Sequence, residues 1–68
     1  MTNNILNIVN AVRDQGIDIE FNGYSTAYLP NKGVAIECHG SKCRIYINND
    51  LFRTFNTPQL AIKYLVRF

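Results

Sequence analysis

Apolar positions along this chain recur first with a helical period, then with a strand period, then with a helical period again. Between Thr2 and Gln15, the residues Ile5, Leu6, Ile8, Val9 and Val12 form one stripe at helical spacing, and Thr2 or Asn3 is available to cap its start. Gly16 suits the left-handed position just past the helix end. That makes Ile17 the next residue and predicts that it packs back on Val12. Ile17, Ile19 and Phe21 then alternate with Asp18 and Glu20, the pattern of a half-buried strand. Asn22-Gly23 is a strong hairpin signal, and a return strand runs toward Leu29. Pro30-Asn31-Lys32-Gly33 reads as a turn, with Gly33 at positive φ.

The second half is more regular. Val34–Cys38 and Cys43–Ile47 each alternate apolar with polar residues, and His39-Gly40-Ser41-Lys42 supplies the turn between them. Asn48-Asn49-Asp50 turns the chain into a further strand near 51–55. Thr57 is a natural N-cap, followed by Pro58 at the first helical position, where its missing N–H costs nothing. The closing helix carries Leu60, Ala61, Tyr64, Leu65 and Phe68 on its apolar side, and Lys63 and Arg67 read as its solvated face. The connections are too short for parallel crossovers. The fold class is therefore α+β. It is a two-layer sandwich with an N-terminal helix, an antiparallel meander of four to five strands and a C-terminal helix, in one small domain over 1–68.

If both helices cover one sheet face, strand register decides which side chains lie on the other. The second hairpin pairs Val34 with Ile47, Ile36 with Ile45 and Cys38 with Cys43 on the covered side. Ala35, Glu37, Arg44 and Tyr46 then lie on the open side, with Glu37 opposite Arg44 as a surface ion pair. A two-residue Asn49-Asp50 turn sets Arg53 beside Tyr46 on this face. The first hairpin allows two registers. A two-residue Asn22-Gly23 turn buries Tyr24 and Tyr28 with Phe21. A three-residue turn, with Phe21 opposite Ser25, buries Ala27 and Leu29 and leaves both tyrosines wet; it is preferred because it buries the apolar residues of the return strand.

Composition narrows the function classes. The chain has 68 residues and 47% hydrophobic content with four Phe and four Tyr, which is globular but near the small end of what folds without a metal or disulfide. A core this size has little room for a deep substrate pocket, so no enzyme is expected. The net charge of +2 is light for a dedicated nucleic-acid binder. Met-Thr-Asn-Asn lacks the basic start of a signal peptide, and no apolar run reaches membrane-span length, which predicts a cytoplasmic chain with reduced cysteines and no membrane contact.

Cys38, His39 and Cys43 offer three ligands where a structural zinc site takes four, at a spacing matching no common zinc pattern. The cysteines read instead as small buried hydrophobes that a cross-strand disulfide joins only under oxidant. His39, the single histidine, sits in a turn with no orienting partner for Ser41 or Cys43, and the glycines are isolated turn residues rather than a phosphate-binding loop. No metal, cofactor or catalytic residue is expected. The candidate site is the Tyr/Arg group of the open face: Tyr24, Tyr28, Arg44, Tyr46 and Arg53. These residue types dominate protein interfaces and also stack on bases and bind phosphates.

The order of helix, strands and helix is similar to that of a double-stranded-RNA-binding domain. That family begins its second helix with a Gly- and Lys-rich phosphate grip, whereas the matching Phe55-Asn56-Thr57-Pro58-Gln59-Leu60 has neither residue, so the likeness covers topology alone. The leading expectation is a non-catalytic protein-binding module, an inhibitor or adaptor that occludes a partner's surface. Chains of this size and plainness are common among phage and mobile-element products. The alternative is a nucleic-acid-binding regulator using the Tyr/Arg face. Exposed strand edges also allow a homodimer.

Overall fold

The computed structural model describes residues 4–68. The elements run α1 (Asn4–Asp14), β1 (Glu20–Phe21), β2 (Thr26–Leu29), β3 (Val34–His39), β4 (Lys42–Ile47), β5 (Asp50–Phe55) and α2 (Pro58–Arg67). The five strands form one antiparallel sheet in sequential order, an α+β meander flanked by helices, as the alternating pattern requires. Helix α1 lies over β2 and β3, α2 lies over β4 and β5, and the helices pack on each other. No helix among the described residues is long and apolar enough to cross a membrane.

Helix α1 buries Ile5, Ile8, Val9 and Val12, the stripe its spacing predicts. It stops in a Schellman arrangement. Gly16 takes φ +78°, its N–H donates to the Arg13 carbonyl at 2.8 Å, and the Ile17 N–H reaches back to the Val12 carbonyl at 3.4 Å. Ile17 packs against the core that contains Val12. The expected caps Thr2 and Asn3 lie outside the described residues. Asn4 Nδ2 donates to the Gly40 carbonyl at 2.6 Å and pins the start of α1 to the β3–β4 turn.

The register of the central hairpin is the one its sequence predicts, with Val34 opposite Ile47, Ile36 opposite Ile45 and Cys38 opposite Cys43. All six lie beneath the helices, and only Cys38 and Ile47 retain measurable exposure. Gly40-Ser41 makes the two-residue turn, with Gly40 at φ +62°. Helix α2 starts as expected. The Thr57 Oγ1 accepts the Leu60 N–H at 3.3 Å and Pro58 occupies the first turn.

Two turns depart from expectation. In the first hairpin Ala27 and Leu29 are buried and Tyr24 and Tyr28 exposed, the preferred facing. The register differs, however: Phe21 pairs with Ala27 rather than Ser25. The Asn22 side chain is the cause. Its Oδ1 accepts the N–H groups of Tyr24 at 2.8 Å and Thr26 at 3.3 Å, while its backbone N–H donates to the Thr26 carbonyl at 3.0 Å. One amide side chain thus closes a loop longer than the sequence signal suggests.

The β4–β5 turn is Asn48-Asn49, not Asn49-Asp50, because Ile47 pairs with Asp50. Both asparagines adopt positive φ, 52° and 70°, as a type I′ turn demands, and Asn tolerates that region better than most residues. The ladder then slips: Tyr46 pairs with Leu51, yet Ile45 pairs with Arg53, leaving Phe52 as the extra residue of a β-bulge. Replacing Asn49 with Val should lower stability by about 1–2 kcal/mol through left-handed strain, whereas Gly should be neutral or stabilising. Urea unfolding of the two variants checks this expectation, and equal midpoints would contradict the turn assignment.

Candidate functional site

The five residues singled out from the sequence do not form one group. Tyr28 and Tyr46 flank Ala35 in one cross-strand row of the open face, which Leu51 extends on β5. Arg44 lies in the next row, between Glu37 and Thr54. Tyr24 projects from the first hairpin loop and is 82% exposed. Arg53 leaves the group altogether. The bulge places it opposite buried Ile45 on the helix side, with its Cζ 5.3 Å from the Phe52 ring centre and 6.0 Å from that of Phe55. The expected neighbour relation between Arg53 and Tyr46 fails because the turn is one residue earlier and a bulge follows it.

Polar contacts on the open face also rearrange. Glu37 is opposite Arg44, but its carboxylate accepts the Tyr46 hydroxyl at 3.2 Å and meets His39 Nε2 at 3.3 Å. A single β-strand pleat explains this arrangement: Glu37 and His39 share one face two residues apart, and Tyr46 sits diagonally across. His39 therefore points away from the cysteines. Among the described residues no three His, Cys, Asp or Glu side chains gather where a metal ion would bind.

Cys38 and Cys43 face each other in the core, both unoxidised, with their sulfurs 2.9 Å apart. Burial, the hydrogen bond to Cys43 and the neighbouring charges hold the Cys38 thiol well above the usual thiol range. The closing pair of a two-residue turn exchanges hydrogen bonds, so the next pair inward does not. Accordingly the Cys38 N–H turns to the residue just before β2, donating to the Ser25 carbonyl at 2.9 Å. Such non-hydrogen-bonded pairs have the shorter Cα separation and suit a disulfide.

A second surface, made of what the sequence predicts to be an apolar helix side and a solvated face, lies where α2 meets β5. Tyr64 contacts three rings, Phe52 at 5.4 Å, Phe55 at 5.8 Å and Phe68 at 5.7 Å between centres, all in tilted geometry. Only Ala61 and Leu65 of α2 are fully buried; Phe52, Leu60 and Phe68 each leave nearly half their surface in water. Lys63 and Arg67, rather than facing away, line an open hollow together with Phe55, Leu60, Tyr64 and Phe68.

Charge gathers here as well. Three of the seven basic side chains, Arg53, Lys63 and Arg67, stand at this surface, and one of the five acidic ones, Asp50, begins β5. The one ion pair among the described residues is His39–Glu37, so Arg53, Lys63 and Arg67 have no acidic partner. The signal for this surface was the breadth of the apolar arc on α2, where positions 60, 61, 64, 65 and 68 span more than one sheet edge covers.

Beside this surface, β5 forms one edge of the sheet. Five of its six residues are exposed, and among the described residues no loop or helix hydrogen-bonds its outer side. The opposite edge, β1, has two residues. Comparison with family models, with curated protein sequences and with solved structures returns no match.

The thiol geometry yields one expectation. In the folded chain both cysteines should resist iodoacetamide at pH 8, because burial keeps the reagent from both sulfurs and also holds the Cys38 thiol protonated, and urea should release them. Diamide present while the chain refolds out of urea should remove two hydrogens and join them, read as the corresponding loss of mass, with Cys43→Ser blocking the change. Rapid alkylation of the native chain would contradict the burial.

Proposed function

We propose that this chain is a non-catalytic protein-binding module whose contact surface is the β5 edge together with the adjoining rings of β5 and α2. The observation that carries this reading is the coincidence, at one place, of an unpaired six-residue edge strand, a half-exposed aromatic cluster and three unpaired cations. Exposed apolar area bordered by charge is the composition of an interface rather than of a solvated helix face. Aromatic and Arg side chains supply most of the energy in such surfaces. The partner is expected to be captured by occlusion, with no chemistry performed on it.

A second reading is binding of single-stranded nucleic acid, since rings beside cations also stack on bases and hold phosphates. Phe52, Phe55 and Phe68 with Arg53, Lys63 and Arg67 are what favour it. Its mark is affinity that falls steeply as salt rises. The net charge of +2 and the largely apolar lining of the hollow favour protein instead.

Arg44 and Arg53 lie on opposite sides of the sheet, so they separate the two candidate surfaces. Capture of protein from a lysate of the source organism should fall by about tenfold or more for Arg53→Glu and Leu60→Ser, and change by less than about twofold for Arg44→Glu, with folding checked by circular dichroism. Loss with Arg44→Glu alone would move the binding site to the Tyr28–Tyr46 face.

A further inference from the structure

Resting on the β5–α2 reading, we infer that the partner presents an extended, acidic segment that adds to the sheet as a sixth strand alongside β5. The backbone supplies the first argument. Helix α2 rests across β4 and β5 on one face of the sheet, and among the described residues nothing bonds to the outer side of residues 50–55. A strand edge left open in this way is a template for main-chain hydrogen bonds from an extended peptide, which give affinity while side-chain pockets give selectivity.

The side chains supply the second argument. Alternate residues of an added strand lie on alternate sides of the sheet. Those on the helix side meet Asp50 at the start of the strand and then Phe52, Arg53 and Phe55, with Tyr64, Phe68, Lys63 and Arg67 behind them, so the acidic positions belong opposite the 52–55 end. Those on the other side meet Leu51 and Thr54. The helix-side positions of the incoming segment are thus matched by apolar and acidic residues in turn, the apolar ones against rings and the acidic ones against three cations with no acid of their own. The remaining positions suit small β-formers.

Charge also disfavours a second copy of this chain as the occupant. Two-fold antiparallel pairing of β5 with itself about the midpoint of the strand, between Phe52 and Arg53, brings Arg53 close to its symmetry mate and sets both sets of Lys63 and Arg67 around one interface. Like charges that close are destabilising. A polyanionic strand of nucleic acid satisfies the cations but leaves the β5 main chain without partners. An acidic peptide satisfies both.

The test titrates the isotope-labelled chain with an acetylated, amidated peptide of about eight residues, enough to span β5 at roughly 3.4 Å per residue. In it Thr alternates with Glu and Val taken in turn. Three controls accompany it: the peptide with Lys for Glu, the peptide with Pro at alternate positions, and an oligothymidylate of equal length. Saturable amide shifts confined to residues 50–56 and α2, weakened by salt, absent with the Lys and Pro peptides, and reduced roughly threefold to tenfold by Arg53→Glu, are the expected result.

No shift at β5, equal binding of the Lys peptide, or tighter binding of the oligothymidylate overturns the inference. So does concentration-dependent dimerisation of the free chain that Arg53→Glu alters. If the peptide is inert while Arg53→Glu and Leu60→Ser still abolish protein capture, the surface stands and acidic strand addition falls. If capture also ignores both substitutions, the surface falls with it.

Discussion

Ile36 and Ile45 face each other at the centre of the sheet with no exposed surface, and everything else is arranged around that contact. Val34–Ile47 on one side and Cys38–Cys43 on the other extend it into a three-rung ladder beneath both helices. Each helix buries a stripe on this ladder and its flanks: Ile5, Ile8, Val9 and Val12 from α1, Ala61 and Leu65 from α2. A domain of this size has few other apolar layers to draw on, so its cooperativity depends on these rungs staying in register. A slip of one residue would turn Ala35, Glu37, Arg44 and Tyr46 inward, stranding a carboxylate and a guanidinium in the core.

The ladder also fixes where order runs out. Beyond β4 the sheet continues into β5, but α2 covers that strand only in part, and the bulge at Phe52 adds a second aromatic residue to the helix side. Four rings then compete for cover that one ten-residue helix cannot supply, because Ala61 and Leu65 already occupy its inward line. Tyr64 takes the central position and is half-buried, while Phe52 and Phe68 remain at the surface. The exposed cluster follows from the bulge and from the breadth of the apolar arc on α2.

How far the sequence discloses this follows the same division. The hairpin from Val34 to Ile47 was legible residue by residue, since strict alternation and a Gly-Ser turn leave one register that buries every apolar side chain. The end of α1 was legible because Gly16 and Ile17 satisfy a specific backbone pattern. In the first hairpin the facing was legible from Ala27 and Leu29, but the loop length was not, because an asparagine side chain bonding two backbone amides leaves no periodic trace. The candidate site was legible only in part. Tyr28, Arg44 and Tyr46 lie on the open face as their alternation indicates, whereas Arg53 does not, for a bulge inverts every assignment beyond it. The adjacent pair Leu51-Phe52, which breaks the alternation, was the available hint.

The same bulge gives β5 a mixed character. Bulges and charged residues on an edge strand are devices by which sheets resist indiscriminate pairing, and β5 carries both, at Phe52 and Arg53. Yet the strand is long for an edge, its outer side is unbonded among the described residues, and Leu51 is 57% exposed next to it. A protective reading accounts for the arginine but not for the exposed apolar surface on both sides of it, which on its own promotes association. Taken together, the two features amount to selection rather than avoidance. The cation repels strands like itself and accepts those of opposite charge, and the rings reward whichever strand the charge admits.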